Sequence, residues 1–260
     1  MSTTTTALHD QLAEIADHAA HTATAIPQFT HEHDLTVEDA YAIQERSIDR
    51  RLERGEQLVG VKMGLTSTAK MVQVGVDEVI WGRLTDGMRL ADGQSLSLDD
   101  YVHPRLEPEV AFLIGAPLSG RVSAAEARQA VAAVAAAAEL IDSRYENFQF
   151  SLADVIADNS SSSGFVVGDW CPPDTPIDNL GIVLERDGRP VEIGSSAAIL
   201  GDPMRSLVEA SRMVGESGMT LEPGWIVLAG GATAATPLRA GDSLRVVVEH
   251  LGAVHLSVDS

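Results

Sequence analysis

Two carboxylates stand one residue apart, Glu107 and Glu109, in the stretch Arg105-Leu-Glu-Pro-Glu-Val-Ala-Phe-Leu-Ile114. In an extended segment, side chains at i and i+2 share a face and lie about 6.6 Å apart along the strand, so both acids can converge on one cation. The segment then turns apolar through Val110, Ala111, Phe112, Leu113 and Ile114, which puts the acids at the mouth of a buried strand. Neighbouring carboxylates in a poorly hydrated place repel, and a hard divalent cation with oxygen ligands removes that cost. A strand end carrying two solvated acids has the same spacing, so the pair alone leaves both readings open.

The 260-residue chain, 45% hydrophobic, can bury a full core as one large domain or two closely packed ones. Its formal charge of -20, from 38 acidic against 18 basic residues, sets up a field that repels phosphate backbones and anionic lipid. Neither nucleic acid nor a membrane surface is an expected partner. An anionic substrate would also be slowed unless a cation and local basic groups reversed the field at the pocket, although acidity that merely keeps the protein dispersed is the simpler account. Cys171, the single cysteine, excludes an intrachain disulfide and a multi-cysteine metal cluster, so a reducing cytoplasm is the expected setting. The first residues lack the basic and apolar regions of a secretory signal. No apolar run reaches the length of a membrane span, Ala130 to Ala138 coming nearest.

Leu8, Leu12, Ile15 and Ala19 recur at helical spacing. A second helix opens with Thr36 as N-cap and Asp39 at the capping-box position, with Val37, Tyr41, Ile48 and Leu52 on one stripe. His31 and His33, between the two, read as surface groups. Leu58 to Met63 predicts a strand that carries Lys62 into the turn Gly64-Leu-Thr-Ser67. The alanine-rich run Ser123 to Ile141 predicts a helix, with Ser123 as N-cap and Glu126 at the third helical position. Tyr145 to Ser163 is little patterned and precedes a strand at Phe165 to Val167. Beyond it, strands are predicted at 182–186, 190–193, 225–228 and 244–249, with a tight hairpin at Asp187-Gly188 and a helix near Pro203 to Val214. Gly230-Gly231 reads as a turn or as backbone N–H groups turned toward a ligand. No glycine-rich dinucleotide fingerprint lies between a strand and a helix.

Four blocks in order carry a wider likeness: Lys62-Met-Gly-Leu-Thr-Ser67, Pro104-Arg-Leu-Glu-Pro-Glu-Val-Ala-Phe112, Glu139-Leu-Ile-Asp-Ser-Arg144 and Ala157-Asp-Asn-Ser-Ser-Ser-Ser-Gly-Phe-Val-Val-Gly168. From about residue 35 to the C-terminus the chain resembles the hydratase and decarboxylase family of aromatic meta-cleavage pathways, relatives of fumarylacetoacetate hydrolase. The resemblance implies a mixed α/β (α+β) fold, a rolled, mostly antiparallel sheet with an N-terminal helical portion packed against it. It divides the chain into a helical and α/β part, 1–90, and a β-rich metal-binding part, 91–260, packed as one unit. It implies Mg²⁺ or Mn²⁺ on Glu107, Glu109 and Glu139, with Asp142 as the rival third ligand. A hard octahedral cation suits three carboxylates, and Glu139 would close the alanine-rich helix, where the helix dipole attracts a cation. Carried over likewise are Lys62 and Ser161 as catalytic groups, and Leu65, Ile80, Asn159 and Arg144 as contacts to a small dicarboxylic 2-oxo acid. Arg144 could equally be structural. A homo-oligomer is implied, and a complex with the pathway hydratase is a further expectation.

Two activities act in succession in that family, decarboxylation of 2-oxo-3-hexenedioate to 2-hydroxypenta-2,4-dienoate and hydration of that dienol. Hydration needs an acid-base group near the substrate tail. The hydratase branch carries Pro-Asp-Phe-Gly where this chain has Val79-Ile80-Trp81-Gly82, so its Asp falls at Ile80, which cannot transfer a proton. Glu78, just before this segment, is a candidate substitute for the missing acid. Decarboxylation of a vinylogous β-keto acid needs only an electron sink at the 2-oxo group and a departing carboxylate that is not held by solvation. Decarboxylation is therefore the expectation, with hydration the alternative and a non-catalytic partner of a hydratase the weaker one. A hydrolase cleaving between carbonyls would want a His-Glu pair for water, which the four blocks do not supply.

Overall fold

A computed structural model of the chain describes residues 3–67 and 78–260. Helix α1 (Thr3–His21) and helix α2 (Val37–Glu53) lie side by side. The capping box expected at Thr36 and Asp39 opens α2, each side chain bonded to the other's backbone N–H. Leu12, Ala13 and Ala16 of α1 pack against Ala40 and Ile43 of α2, while Ile15, expected on the buried stripe, is turned to solvent.

Among the described residues the strands form two sheets. The larger runs β2 (Ile80–Thr85), β1 (Leu58–Gly64), β9 (Ile226–Leu228), β4 (Pro104–Ile114), β5 (Val131–Asp142) and β6 (Ser162–Val167), with β10 (Thr236–Pro237) beside β4. The smaller runs β3 (Gln94–Leu96), β12 (Gly252–Val258), β11 (Ser243–Val248), β7 (Gly181–Arg186) and β8 (Arg189–Ser195). Pairing is antiparallel except for β1 with β9 and β12 with β3. The hairpin expected at Asp187-Gly188 joins β7 to β8, both residues having positive φ as a tight turn of that kind requires. The architecture is the mixed α/β one expected.

One expectation is overturned. The helix begun at Ser123 is α3 (Ala124–Gln129) and stops there; Val131–Asp142 is a strand, paired with β4 on one side and β6 on the other. Alanine favours a helix when nothing else decides, but here the β4 ladder along the whole strand and the β6 ladder over residues 137–141 give the backbone its hydrogen bonds instead. Small side chains let both faces of this central strand be covered closely: Ala135, Ala136, Ala137 and Ala138 are all buried. Glu139 thus sits inside a strand, and no helix dipole acts on it.

Strand parity sorts the two faces of the large sheet. Leu106, Val110 and Phe112 of β4 share one core with Val134, Ala136 and Ala138 of β5 and with Val246, Val254 and Leu256 of the smaller sheet. The opposite face presents Ala111, Ala137, Phe165 and Leu228 toward Ile48 of α2. The odd-numbered acids of β4 and β5 emerge on that second face. Helix α4 (Leu152–Ala157), in the stretch that showed little pattern, covers its edge and is opened by a Ser151/Asp154 capping box.

Candidate metal centre

Glu107 on β4 lies directly opposite Glu139 on β5, and Glu109 opposite Ala137, so the three glutamates occupy adjoining positions on one face. Each offers a carboxylate oxygen within 4.8 Å of the other two, and all three side chains are buried. Glu109 Oε2 accepts the backbone N–H of Gly230 at 2.7 Å, while its Oε1 has no hydrogen-bond partner among the described residues. The Gly230-Gly231 turn therefore does aim a backbone N–H inward, at a glutamate. A side chain at Gly230, where φ is +108°, would run into Thr66.

Glu139 has two partners. Ser162 Oγ donates to Oε1 at 2.9 Å, and Lys62 Nζ lies 2.9 Å from Oε2. Lys62, 3% exposed on β1, also donates to the Ser160 carbonyl at 3.0 Å. Burial pushes the Glu109 carboxyl well above the usual carboxylate range, Glu139 adds to the rise, and Lys62 opposes it. Burial raises Glu139 too, with Lys62 again pulling the other way. Among the described residues Lys62 is the ammonium set against these buried carboxylates, and Glu109 Oε1 has no hydrogen-bond partner. That residue set fits a small, hard divalent cation and supplies no nitrogen or sulfur ligand that would favour a softer one.

The segment after α4 carries the rest of the centre. Asn159, Ser160 and Ser161 are successive non-glycine residues with positive φ, 49°, 50° and 60°, a conformation that costs energy and holds only when its surroundings impose it. The surroundings are on view. Asn159 bonds both polar groups of the Arg83 backbone, Oδ1 to N–H at 2.8 Å and Nδ2 to C=O at 2.9 Å. Ser160 Oγ donates to the Trp81 carbonyl at 2.8 Å. Gly82 is required between them, since a Cβ there would stand 2.6 Å from the Asn159 carbonyl. Ser161 Oγ, by contrast, is buried and without a hydrogen-bond partner among the described residues.

Two expected substrate contacts are otherwise engaged. Arg144 gives Nε to Asp158 Oδ1 at 2.5 Å, Nη2 to the Asp158 carbonyl at 2.7 Å and Nη1 to Ser163 Oγ at 2.5 Å. Its guanidinium is a clamp on the serine segment, which supports the structural one of its two readings. Asn159 likewise spends its amide on β2. Asp142, the rival ligand, lies on the opposite face from Glu139 and accepts the backbone N–H groups of Val102 and His103. Ile80 is buried against Tyr145 and Ile156, with Leu65, in the left-handed conformation, packed on the same cluster. A cavity of about 610 Å³ opens at this edge of the sheet, lined by Tyr41, Ile80, Trp81 and Arg83 and not by the three glutamates. Glu78, also on its wall, is ion-paired with Arg212 at 3.0 Å, so it is not poised to replace a missing acid.

The Ser162 hydroxyl and the Ser160 carbonyl are not legible in the sequence as parts of the centre, whereas the Gly230 N–H is one of the two readings open for Gly230-Gly231. Only the run of four serines signalled the first two.

Two buried strands bearing a Glu-x-Glu pair and a facing glutamate define a metal-dependent enzyme of the fumarylacetoacetate hydrolase type. The chain belongs to that family: residues 87–259 match its model, described as fumarylacetoacetate (FAA) hydrolase C-terminal. It is 53% identical to a 4-oxalocrotonate decarboxylase of Pseudomonas sp. over 95% of this chain and 96% of that one. It is 34% identical to a 2-keto-4-pentenoate hydratase of Paraburkholderia xenovorans, covering 87% of this chain and 86% of that one. The solved structure of the 4-oxalocrotonate decarboxylase from Pseudomonas putida G7, complexed with magnesium and adipate, superposes with a TM-score of 0.94 at 36% identity, over 96% of this chain and 97% of that one.

Proposed function

We propose that the protein decarboxylates 2-oxo-3-hexenedioate, also called 4-oxalocrotonate, to 2-hydroxypenta-2,4-dienoate and CO₂, with Mg²⁺ or Mn²⁺ held by Glu107, Glu109 and Glu139. The observation that carries the reading is the buried glutamate trio beside Lys62, in a chain whose Ile80 stands where a hydratase needs an acid. The 53% likeness to a decarboxylase, against 34% to a hydratase, points the same way.

The bound cation would supply a Lewis acid at the 2-oxo oxygen. As the C5–C6 bond breaks, CO₂ leaves and the electron pair shifts through the C3–C4 double bond to that oxygen, which then takes one proton. Lys62, with Glu139 and the Ser160 carbonyl fixing its Nζ, is placed to neutralise the developing negative charge. Ser161, whose hydroxyl is unspent, is the candidate to bind the 2-oxo oxygen and deliver the proton. The apolar surface of Ile80 and Leu65 keeps water from the departing carboxylate. Asn159 and Arg144 serve by shaping the serine segment. The 1–90 and 91–260 parts act as one packed unit. Catalysis takes place in the cytoplasm, in a homo-oligomer that hands its product to the pathway hydratase.

The test is CO₂ release from 2-oxo-3-hexenedioate with Mg²⁺. The reading expects release that is abolished by a chelator and by Glu107→Ala. Hydration of the dienol without any CO₂ would make the protein a hydratase instead.

A further inference from the structure

We propose that Arg105 binds the carboxylate that the substrate keeps, the one next to its 2-oxo group. The inference rests on the decarboxylase reading above and names a residue that recognises that substrate.

Arg105 lies on β4 two residues before Glu107, on the acid-bearing face and about 6.6 Å further toward the mouth of the strand. Its guanidinium stacks 3.7 Å from the centroid of the Phe148 ring. Partial burial disfavours its charged form, and the nearby Glu107 carboxylate works against that. Among the described residues it makes no ion pair and no hydrogen bond. Other arginines held within the protein each face an acid: Arg83 has Glu45 at 3.5 Å, Arg144 has Asp158 at 2.5 Å, and Arg186 has Asp242 at 3.1 Å. In a chain with a net charge of -20, a half-buried guanidinium beside Glu107 with no ion pair among the described residues is a place kept for an incoming anion. The planar fork matches both oxygens of a carboxylate, and the ring beneath it fixes the plane of that fork.

The chemistry decides which carboxylate. A cation on the departing group would stabilise a charge that vanishes as CO₂ forms, and so would raise the barrier. A cation on the retained carboxylate stabilises a charge that persists from bound substrate to product, so it strengthens binding and orients the 2-oxo group without opposing bond cleavage. The place beside Glu107 puts the guanidinium at the metal end of the site, where the 2-oxo acid end belongs.

Titration calorimetry on the Mg²⁺-loaded protein tests this with two stable ligands, 2-oxopentanoate and 2-oxohexanedioate, which share the 2-oxo acid end and differ in the distal carboxylate. Arg105→Met should weaken both by the same factor, about tenfold or more, as expected for a lost charged hydrogen-bond pair. Mg²⁺ alone should bind the variant at least as tightly as the wild type, and KM for CO₂ release should rise with kcat little changed. Arg105→Lys keeps the charge and the stem but not the fork, and should bind both ligands several-fold more weakly than wild type; it also serves if the methionine variant fails to fold. Unchanged binding of both ligands to the folded variants would overturn the proposal and leave Arg105 a tether for the Phe148 turn. Weakening of 2-oxohexanedioate alone would overturn it too, by placing the arginine at the distal end. A wild type that binds 2-oxopentanoate through Arg105 yet releases no CO₂ would leave the subsite standing and remove the decarboxylase reading.

Discussion

Lys62 and Glu139 hold each other in a place where neither would be stable alone. The ammonium is 3% exposed and the carboxylate fully buried, and removing one partner leaves the other as an uncompensated buried charge. Lys62→Met should lower kcat for CO₂ release by about 10²- to 10⁴-fold, the usual scale for a lost charge-stabilising or proton-transferring group. Mg²⁺ binding measured by calorimetry should survive, because the three carboxylates remain. Asp158 offers a prediction in pH. Burial raises its carboxyl to about 6 although Arg144 works against the shift. Since the folded value lies above the unfolded one, the contribution to stability is fully present below about pH 4 and is lost as pH rises through about 6. Relative to Asp158→Asn, the wild type should lose roughly 1–3 kcal/mol of urea-unfolding stability between about pH 4 and pH 7; a constant difference would contradict this. Glu107 and Glu109 are legible because strand parity alone puts them on one face, whereas Glu139 enters only through the family resemblance, its strand reading as a helix. The role of Arg144 is not legible, since its commitment to Asp158 depends on a turn of left-handed residues that no local pattern announces.

Strand β5 is the element where local preference and tertiary structure part company. Its alanines favour a helix in isolation, and the capping box at Ser123 and Glu126 does start one. Pairing on both edges then takes over, and the alternation of faces places Glu139 opposite Glu107. Two substitutions distinguish the strand from the helix. Ala136→Leu, on the wholly buried inner face, should destabilise by about 1–3 kcal/mol through overpacking. Ala132→Val, on an exposed position of the strand, should be neutral within about 0.5 kcal/mol or stabilising, where a helix would be weakened by the β-branched residue. Thermal or denaturant unfolding reads both. The helices opened by Thr36 and Ser151 show the reverse case, with capping boxes setting their starts; the first is legible in the sequence, and the second is not, because its helix is so short.

At the scale of the molecule, the two sheets and the helical layer bring together residues from four distant blocks of sequence, 62–67, 104–112, 139–144 and 157–168. The mixed α/β class and most strands of the last third could be read from turn residues and apolar runs. The strand order could not, because β9 inserts between β1 and β4 from more than a hundred residues away. The parallel pairing of β1 with β9 sets Lys62 beside Leu228, and β9 in turn pairs with Ala111 of the strand that bears the glutamates. No helix among the described residues is long and apolar enough to cross a membrane. The net charge of -20 makes a bound cation the natural way to draw in a dianionic substrate. The most direct measurement is the anomalous diffraction of crystals soaked in Mn²⁺. The account predicts one strong peak within bonding distance of Glu107, Glu109 and Glu139, lost in Glu109→Gln crystals. A peak elsewhere, or no peak in a wild-type protein that still releases CO₂, would contradict it.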